Sequence, residues 1–141
     1  MAIDGTTEDV PDSPANAAYW GHHPGSRGDS AFPHAQAVYL VECGTHVIVD
    51  AGFWPGHTSE RIGGRRVLRS LEPGMLVLWA RGFHEYHMLA EARRRGSHVL
   101  SRLLSGVRPR LLRTLPDGSQ LMAITGSAPP RHASRSISWC G

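Results

Sequence analysis

The chain has 141 residues, 40% of them hydrophobic, with 16 Gly and 10 Pro, which bounds it to one globular domain or part of one, carrying much loop. No run of about 18 apolar residues occurs, and the opening MAIDGTTEDV has no basic stretch leading into an apolar one. Neither a membrane span nor a signal peptide is therefore expected, and a reducing, cytoplasmic setting is. All 15 basic residues are Arg: residues 1–60 carry eight acids and one Arg, residues 61–141 four acids and fourteen Arg, which suits a polyanion held on one face as well as it suits an ordinary solvated surface.

Taken in order, Met1–Ile3 is a short apolar start that turns polar at Asp4-Gly5-Thr6-Thr7, so Asp4 is expected to end a first strand. Residues 11–30, rich in Pro, Asp, Ser, Asn and Gly and without period, read as a long loop. Ala35–Glu42 and His46–Ala51 read as two strands around a Cys43-Gly44-Thr45 turn, a β-hairpin. After a Gly/Pro loop over 52–57, Thr58 or Ser59 can cap a helix over Arg61–Leu71. Val67, Leu68 and Leu71 share one face of it, and Gly63-Gly64 weaken it by about 1 kcal/mol each.

The Pro73-Gly74 turn leads into Met75–Trp79, an apolar run that fits a strand buried on both faces. His84–Arg95 reads as a helix with Tyr86, Leu89 and Ala92 inward and Gly96 as its stop, and Ser97–Leu104 as a further strand. Leu111–Leu115 and Gln120–Ile124 flank Pro116-Asp117-Gly118-Ser119 as a second hairpin. From Ser127 onward no period remains. The layout is α/β with a mixed sheet, antiparallel at the hairpin and parallel through helix crossovers.

Candidate chemistry is thin on local grounds. Asp4 can ligate Mg²⁺, but an Asx-turn explains it as well. Asp50 closes a strand and approaches Asp4 only if their strands are neighbours, and the helix dipole alone accounts for Glu60. His84 and His87 lie three apart on one expected helical face, without the H-E-x-x-H spacing of a zinc hydrolase. Cys43 and Cys140 suggest neither disulfide nor zinc site, Ser59, Ser97 and Cys43 lack a nucleophile context, and the Arg27-Gly28-Asp29 tripeptide is a chance match. Arg93-Arg94-Arg95, with Arg102, Arg108, Arg110 and Arg113, is the strongest basic cluster and can track phosphates, while a solvated helix end favoured by the C-terminal dipole explains the triplet equally well.

Four segments in fixed order, AIDGTTEDVPDSPAN, YLVECGTHVIVDAGFWPGHTSE, LRSLEPGMLVLWARGFHEYHMLAEARRRGSHVLSRL and LPDGSQLMAI, resemble the DDE transposases of bacterial insertion sequences, the IS-four group. The resemblance spans roughly Ala2 to Ile124. It implies a partial ribonuclease H-like fold over residues 1–126, a mixed β-sheet with flanking helices, with a β-rich insertion beginning at 105–126 and an irregular tail over 127–141. It implies two-metal phosphoryl transfer on DNA, with three acids holding Mg²⁺.

Carried over by position, Asp4 is the first catalytic acid and metal ligand. Ala80, before Arg81-Gly82-Phe83, stands where the second acid belongs, and the third is expected on a later helix beyond residue 141. Without later elements, apolar surface is expected to be left uncovered on the sheet. Arg81, Arg93, Arg94, Arg95 and Arg102 are the candidate DNA contacts. The implied partners are DNA at the terminal repeats of an insertion sequence and a second copy or a full-length transposase. The expected function is that of a truncated, degenerate transposase without transposition activity. A non-catalytic DNA-binding or dominant-negative remnant, a pseudogene product without function, and a metal hydrolase on His84 and His87 stand as alternatives.

Overall fold

The computed structural model describes residues 1–25, 28–125 and 136–140. It is a mixed α/β structure with few helices. β1 (Ala2–Asp9), β2 (His22–Gly25), β3 (Gly28–Val41), β4 (Ile48–Pro55), β5 (Leu76–Trp79) and β6 (His98–Ser101) form a six-stranded sheet ordered β2-β3-β1-β5-β6, with β4 also paired to β3. β1 runs antiparallel to β3 and parallel to β5, and β5 runs parallel to β6. α1 (Pro14–Trp20) precedes β2, α2 (Glu60–Val67) joins β4 to β5 through a 3-10 turn at Leu68–Ser70, and α3 (Tyr86–Arg94) joins β5 to β6 after a 3-10 turn at Arg81–Phe83. A separate antiparallel sheet holds β7 (Arg110–Thr114), β8 (Gln120–Thr125) and β9 (Ser136–Cys140).

One core lies between α2, α3 and one face of the mixed sheet, built from Ile3, Val38, Leu40, Val77, Trp79, Val67, Leu68, Leu71, Phe83, Met88, Leu89 and Ala92. Gly63 and Gly64 belong to that packing. A Cβ on Gly63 would stand 2.5 Å from Val38 Cγ2, and one on Gly64 2.7 Å from Phe83 Cδ1. The helix cost of two glycines is thus the condition for α2 to lie close on β3. The hairpin between β3 and β4 is tied by Glu42, whose carboxylate accepts from the Gly44 N–H at 3.0 Å and from both the N–H and the hydroxyl of Thr45 at 2.6 Å. These bonds hold its pKa down at about 2.

Several expectations are corrected. β1 does not stop at Asp4 but continues to Asp9, because β3 extends back to Gly28 and offers it a partner along the whole length. The expected loop over 11–30 contains α1, started by Ser13 as its cap (Oγ accepting from Asn16 N at 3.2 Å) with Pro14 in the first turn, and then β2. β5 is buried on one face only: Val77 and Trp79 point to the helices, while Leu76 and Leu78 are exposed on the other side. The third helix begins at Tyr86, with Met88 buried and Tyr86 only half-buried. His84 therefore ends the preceding turn, buried, and shares no helical face with the exposed His87. The sixth strand is shorter than expected, and Ser136–Cys140, inside the expected irregular tail, pairs with β8. Arg27 and residues 126–135 lie outside the described residues.

Candidate functional site

β1 and β5 pair in parallel with Ala2 beside Leu78 and Ile3 beside Trp79. One residue further along each chain are Asp4 and Ala80. Side chains alternate across a sheet, and Ile3 and Trp79 face the helices, so Asp4 and Ala80 share the opposite, open face at the carboxyl edge of β5. Both are exposed. Asp4 Oδ1 accepts the N–H of Gly5 at 3.0 Å, and Ala80 offers no ligating oxygen.

Arg81-Gly82-Phe83 closes this edge. Phe83 is 2% exposed and fills the space above Gly5 and Gly64, where a Cβ on either would meet its ring. The Gly82 carbonyl accepts from Arg61 Nε at 3.1 Å, which joins the turn to the first turn of α2. Arg81 is left exposed at the tip. His84 follows, 5% exposed, with Nδ1 lacking a hydrogen-bond partner; burial, and then the charge of Arg61, lower its pKa.

Glu60 enters the site from a direction the sequence did not reveal. Its carboxylate lies along Gly5, where a Cβ would stand 3.1 Å from Cδ and Oε1, and beside Gly82. The signal was present: a helix that follows β4 and caps on Ser59 brings its first turn to this same edge. Because Gly5 and Asp4 point to opposite faces, Glu60 and Asp4 sit on opposite sides of the sheet. Among the described residues no group of three His, Cys, Asp or Glu stands together to hold a metal ion. The residues at this edge do not fit a two-metal site: the open face presents Asp4 there, Glu8 on the same face of β1 is four strand residues away, roughly 13 Å, and Glu60 lies across the sheet.

Asp50 does not approach Asp4, since β3 separates their strands. It faces the helices, where Arg69 Nε and Nη2 each donate to it at 2.9 Å and Ser70 Oγ at 2.6 Å. The Arg69 guanidinium is the main reason its pKa falls to about 2. Asp50 is a strut between β4 and the end of α2.

The five candidate DNA contacts divide into two groups. Arg81 and Arg102 follow the ends of β5 and β6, which are level because Trp79 pairs with Ser101, so both stand at the edge that carries Asp4. α3 then returns to the other edge, where Gly74 N bonds Gly96 O, and delivers Arg93, Arg94 and Arg95 there. Arg94 grips Glu91 with two bonds at 2.9 and 2.8 Å, and Arg95 Nε holds the same carboxylate at 2.7 Å while its Nη1 reaches the Arg69 carbonyl. Those bonds hold the Glu91 pKa at about 2. The two groups are separated by the length of a four-residue strand, roughly 13 Å.

No helix among the described residues is long and apolar enough to cross a membrane. No family model and no curated protein matches the chain. Among solved structures, the piggyBac transposase in a synaptic complex with hairpin DNA has a distantly similar outline, at 7% identity and a TM-score of 0.48, covering 97% of this chain and 31% of that one. The chain thus spans about a third of that protein's length, and the likeness is one of outline alone.

Proposed function

We propose that this chain is a transposase-derived protein of the insertion-sequence DDE type, with a ribonuclease H-like sheet, and that it does not itself cut or join DNA. One observation carries the reading. The parallel register of β1 and β5 makes Asp4 and Ala80 neighbours on one face of two central strands. Those are the two positions that the motif resemblance assigns to the first and second metal-ligating acids. Acids that share a pair of metal ions about 4 Å apart must stand this close, and the parallel pairing of β1 with β5 supplies that closeness. With Ala80 in the second place, a single carboxylate remains at that edge of the face, too little for two Mg²⁺ ions.

The proposed residual role is DNA contact at the same edge through Arg81 and Arg102, which are exposed and have no acidic partner among the described residues. Arg93 would contribute only to a separate contact at the other edge, and Arg94 and Arg95 are engaged with Glu91. A nicking and strand-transfer assay on terminal-repeat DNA with Mg²⁺ or Mn²⁺ tests the catalytic part. No product is expected, and product formation lost in Asp4→Ala would overturn it. DNA binding should weaken steeply between low and moderate salt. Affinity unchanged by salt, or by Arg81→Ala with Arg102→Ala, would overturn the binding part.

A further inference from the structure

β4 forms one lateral edge of the mixed sheet. Among the described residues it pairs with β3 alone, and its eight residues are twice the length of β6 at the other edge. Proteins guard such edges with short strands, prolines, bulges or charges, because unpaired backbone groups invite another chain. β4 is guarded at its ends, by Pro55 and by the shift in register between Leu40 and Val41 that leaves Val49 as an extra residue. Between those points Val49, Ala51 and Phe53 bring no charge to the edge.

Which backbone groups face outward follows from β3. Val10 N, just past β1, donates to the Pro33 carbonyl at 2.9 Å, and His34 N donates to the Gly21 carbonyl at 3.0 Å. Odd residues of β3 therefore turn their backbone toward β1 and even ones toward β4. Gln36, Val38 and Leu40 are level with Trp54, Gly52 and Asp50, so the N–H and C=O groups of Ala51 and Phe53 point away from the sheet. The Ala51 N–H also lies against the Asp50 carboxylate, which leaves both carbonyls and the Phe53 N–H open among the described residues. The open stretch runs from 49 to 53, roughly 17 Å, and beyond it α1 closes the edge where Gly56 N donates to the Trp20 carbonyl at 3.0 Å.

Beside this stretch, on the helix side, is a cleft of about 220 Å³ lined by Gly52, Phe53 and Trp54 of β4 and by Arg66 and Arg69. The Trp54 ring lies over Gly52, where any Cβ would overlap it, so at position 52 the strand adds no side chain of its own to the cleft. Arg69 is held by Asp50 through Nε and Nη2. Arg66 is exposed and has no acidic partner among the described residues.

We propose that the free edge of β4 takes up an extended, acidic segment of a protein partner as an added strand. The inference does not rest on the transposase reading. Side chains of an added strand alternate between the two faces. Those level with Ala51 and Phe53 meet the apolar surface of Val49 and Phe53, which are 47% and 52% exposed. The one level with Gly52 enters the cleft, where a carboxylate meets the uncompensated Arg66 guanidinium. The fitting pattern is thus apolar, acidic, apolar, in the mode of strand addition to a sheet edge. A helix or a nucleic acid could neutralise Arg66 but would leave the backbone groups of the edge unpaired. A second copy adding by its own β4 would bring two Arg-lined clefts together, with both Arg66 side chains uncompensated.

The test uses the full chain and labelled synthetic peptides in fluorescence anisotropy: one with an alternating Val-Asp core, the same with Lys for Asp, and the first N-methylated along its core. The Val-Asp peptide should bind at least tenfold more tightly than either of the others, because the Lys form lacks the charge and the methylated form lacks the N–H groups. Arg66→Glu, at an exposed position outside the core, should reverse the preference between the Asp and Lys peptides. Arg113→Ala, on β7, should change nothing. Equal binding of the methylated peptide would reduce the contact to charge alone and overturn the proposal. So would a preference that Arg66→Glu leaves unaltered, or equal affinity for a single-stranded oligonucleotide of the same charge. Self-association of the parent chain in sedimentation that the Val-Asp peptide dissolves would give the edge to a second copy and overturn it as well.

Discussion

Ala80→Asp puts the closeness of Asp4 and Ala80 to a physical test. Ala80 is exposed with φ −70 and ψ 163, extended backbone that Asp adopts without strain. Its side chain would project beside Asp4 from the neighbouring strand, with the two carboxylates about 5 Å apart. At that distance their repulsion is about 1 kcal/mol in a water-like dielectric and about 3 kcal/mol at an effective constant of 20. Without divalent metal the variant should therefore be less stable than the parent by 1–3 kcal/mol, roughly 2–12 °C in melting temperature for a chain of this size. A divalent ion bound between the two carboxylates reverses the sign, and at ten times its dissociation constant it adds about 1.4 kcal/mol. Thermal melts in EDTA and in millimolar Mn²⁺ should show a rise of roughly 3–6 °C for Ala80→Asp. No comparable rise is expected for the parent or for Ala80→Asp combined with Asp4→Asn. A variant that melts like the parent in both buffers, or a Mn²⁺ response that survives the loss of Asp4, would refute the pairing of these positions and with it the proposed origin of the site.

Gly63→Ala should destabilise the fold by about 1–3 kcal/mol in denaturant unfolding, since its Cβ would overlap Val38 and Trp54 by more than the roughly 1 kcal/mol gained in helix propensity can offset; a stabilised variant would show that α2 does not lie this close to β3. Asp50→Asn should cost about 2 kcal/mol at neutral pH, the worth of a depressed carboxylate. Because the folded pKa is about 2, below that of the unfolded chain, this contribution is whole above about pH 4 and is lost as pH falls toward 2. Parent and variant stabilities should therefore converge in acid, and a constant gap between them would contradict the strut. His84 also has a lowered folded pKa, but as a base. The unfolded chain takes up its proton first, so stability should start to fall as pH drops below about 6.5. His84→Gln should flatten that part of the melting profile, and identical slopes would show that burial does not oppose its protonation.

Much of the mixed sheet was legible because its signals are local. The hairpin of β3 and β4 announced itself by β-branched residues around Cys43-Gly44-Thr45, and the helix of residues 86–94 by its apolar period and Gly96. What was misread depended on partners far away in sequence. Asp4-Gly5-Thr6-Thr7 looks like a strand end until β3, some thirty residues on, supplies a ladder for it. Leu76 and Leu78 look like core because a short apolar run cannot say whether a second layer covers it. α1 was available in the sequence: Ser13-Pro14 with Asn16, which bonds back to the Pro11 carbonyl at 2.8 Å, is a helix start that a count of loop-forming residues obscured. At the candidate site, the motif resemblance singles out positions 4 and 80, and that they stand level is visible only in the strand register. The division of the arginines between two sheet edges follows from the return path of α3, which no charge count contains.

The residues that make the motifs recognisable are mostly those that hold the fold. Glu42 and Thr45 close a hairpin, Gly63 and Gly64 admit α2 to the sheet, Phe83 plugs the strand tip, and the Gly82 carbonyl fastens it to Arg61. Losing any of them costs stability, whatever the chain does. The second acid is a different case. A carboxylate at position 80 would meet the charge of Asp4 and stabilise nothing unless a cation lay between them, so Ala there avoids repulsion at a site exposed to water. On the proposed transposase origin, a chain released from cutting DNA would shed that group first and keep the rest, because folding still depends on the rest. An intact Arg81-Gly82-Phe83 turn after Ala80 is what the proposed origin, with this difference in energetic role, would leave.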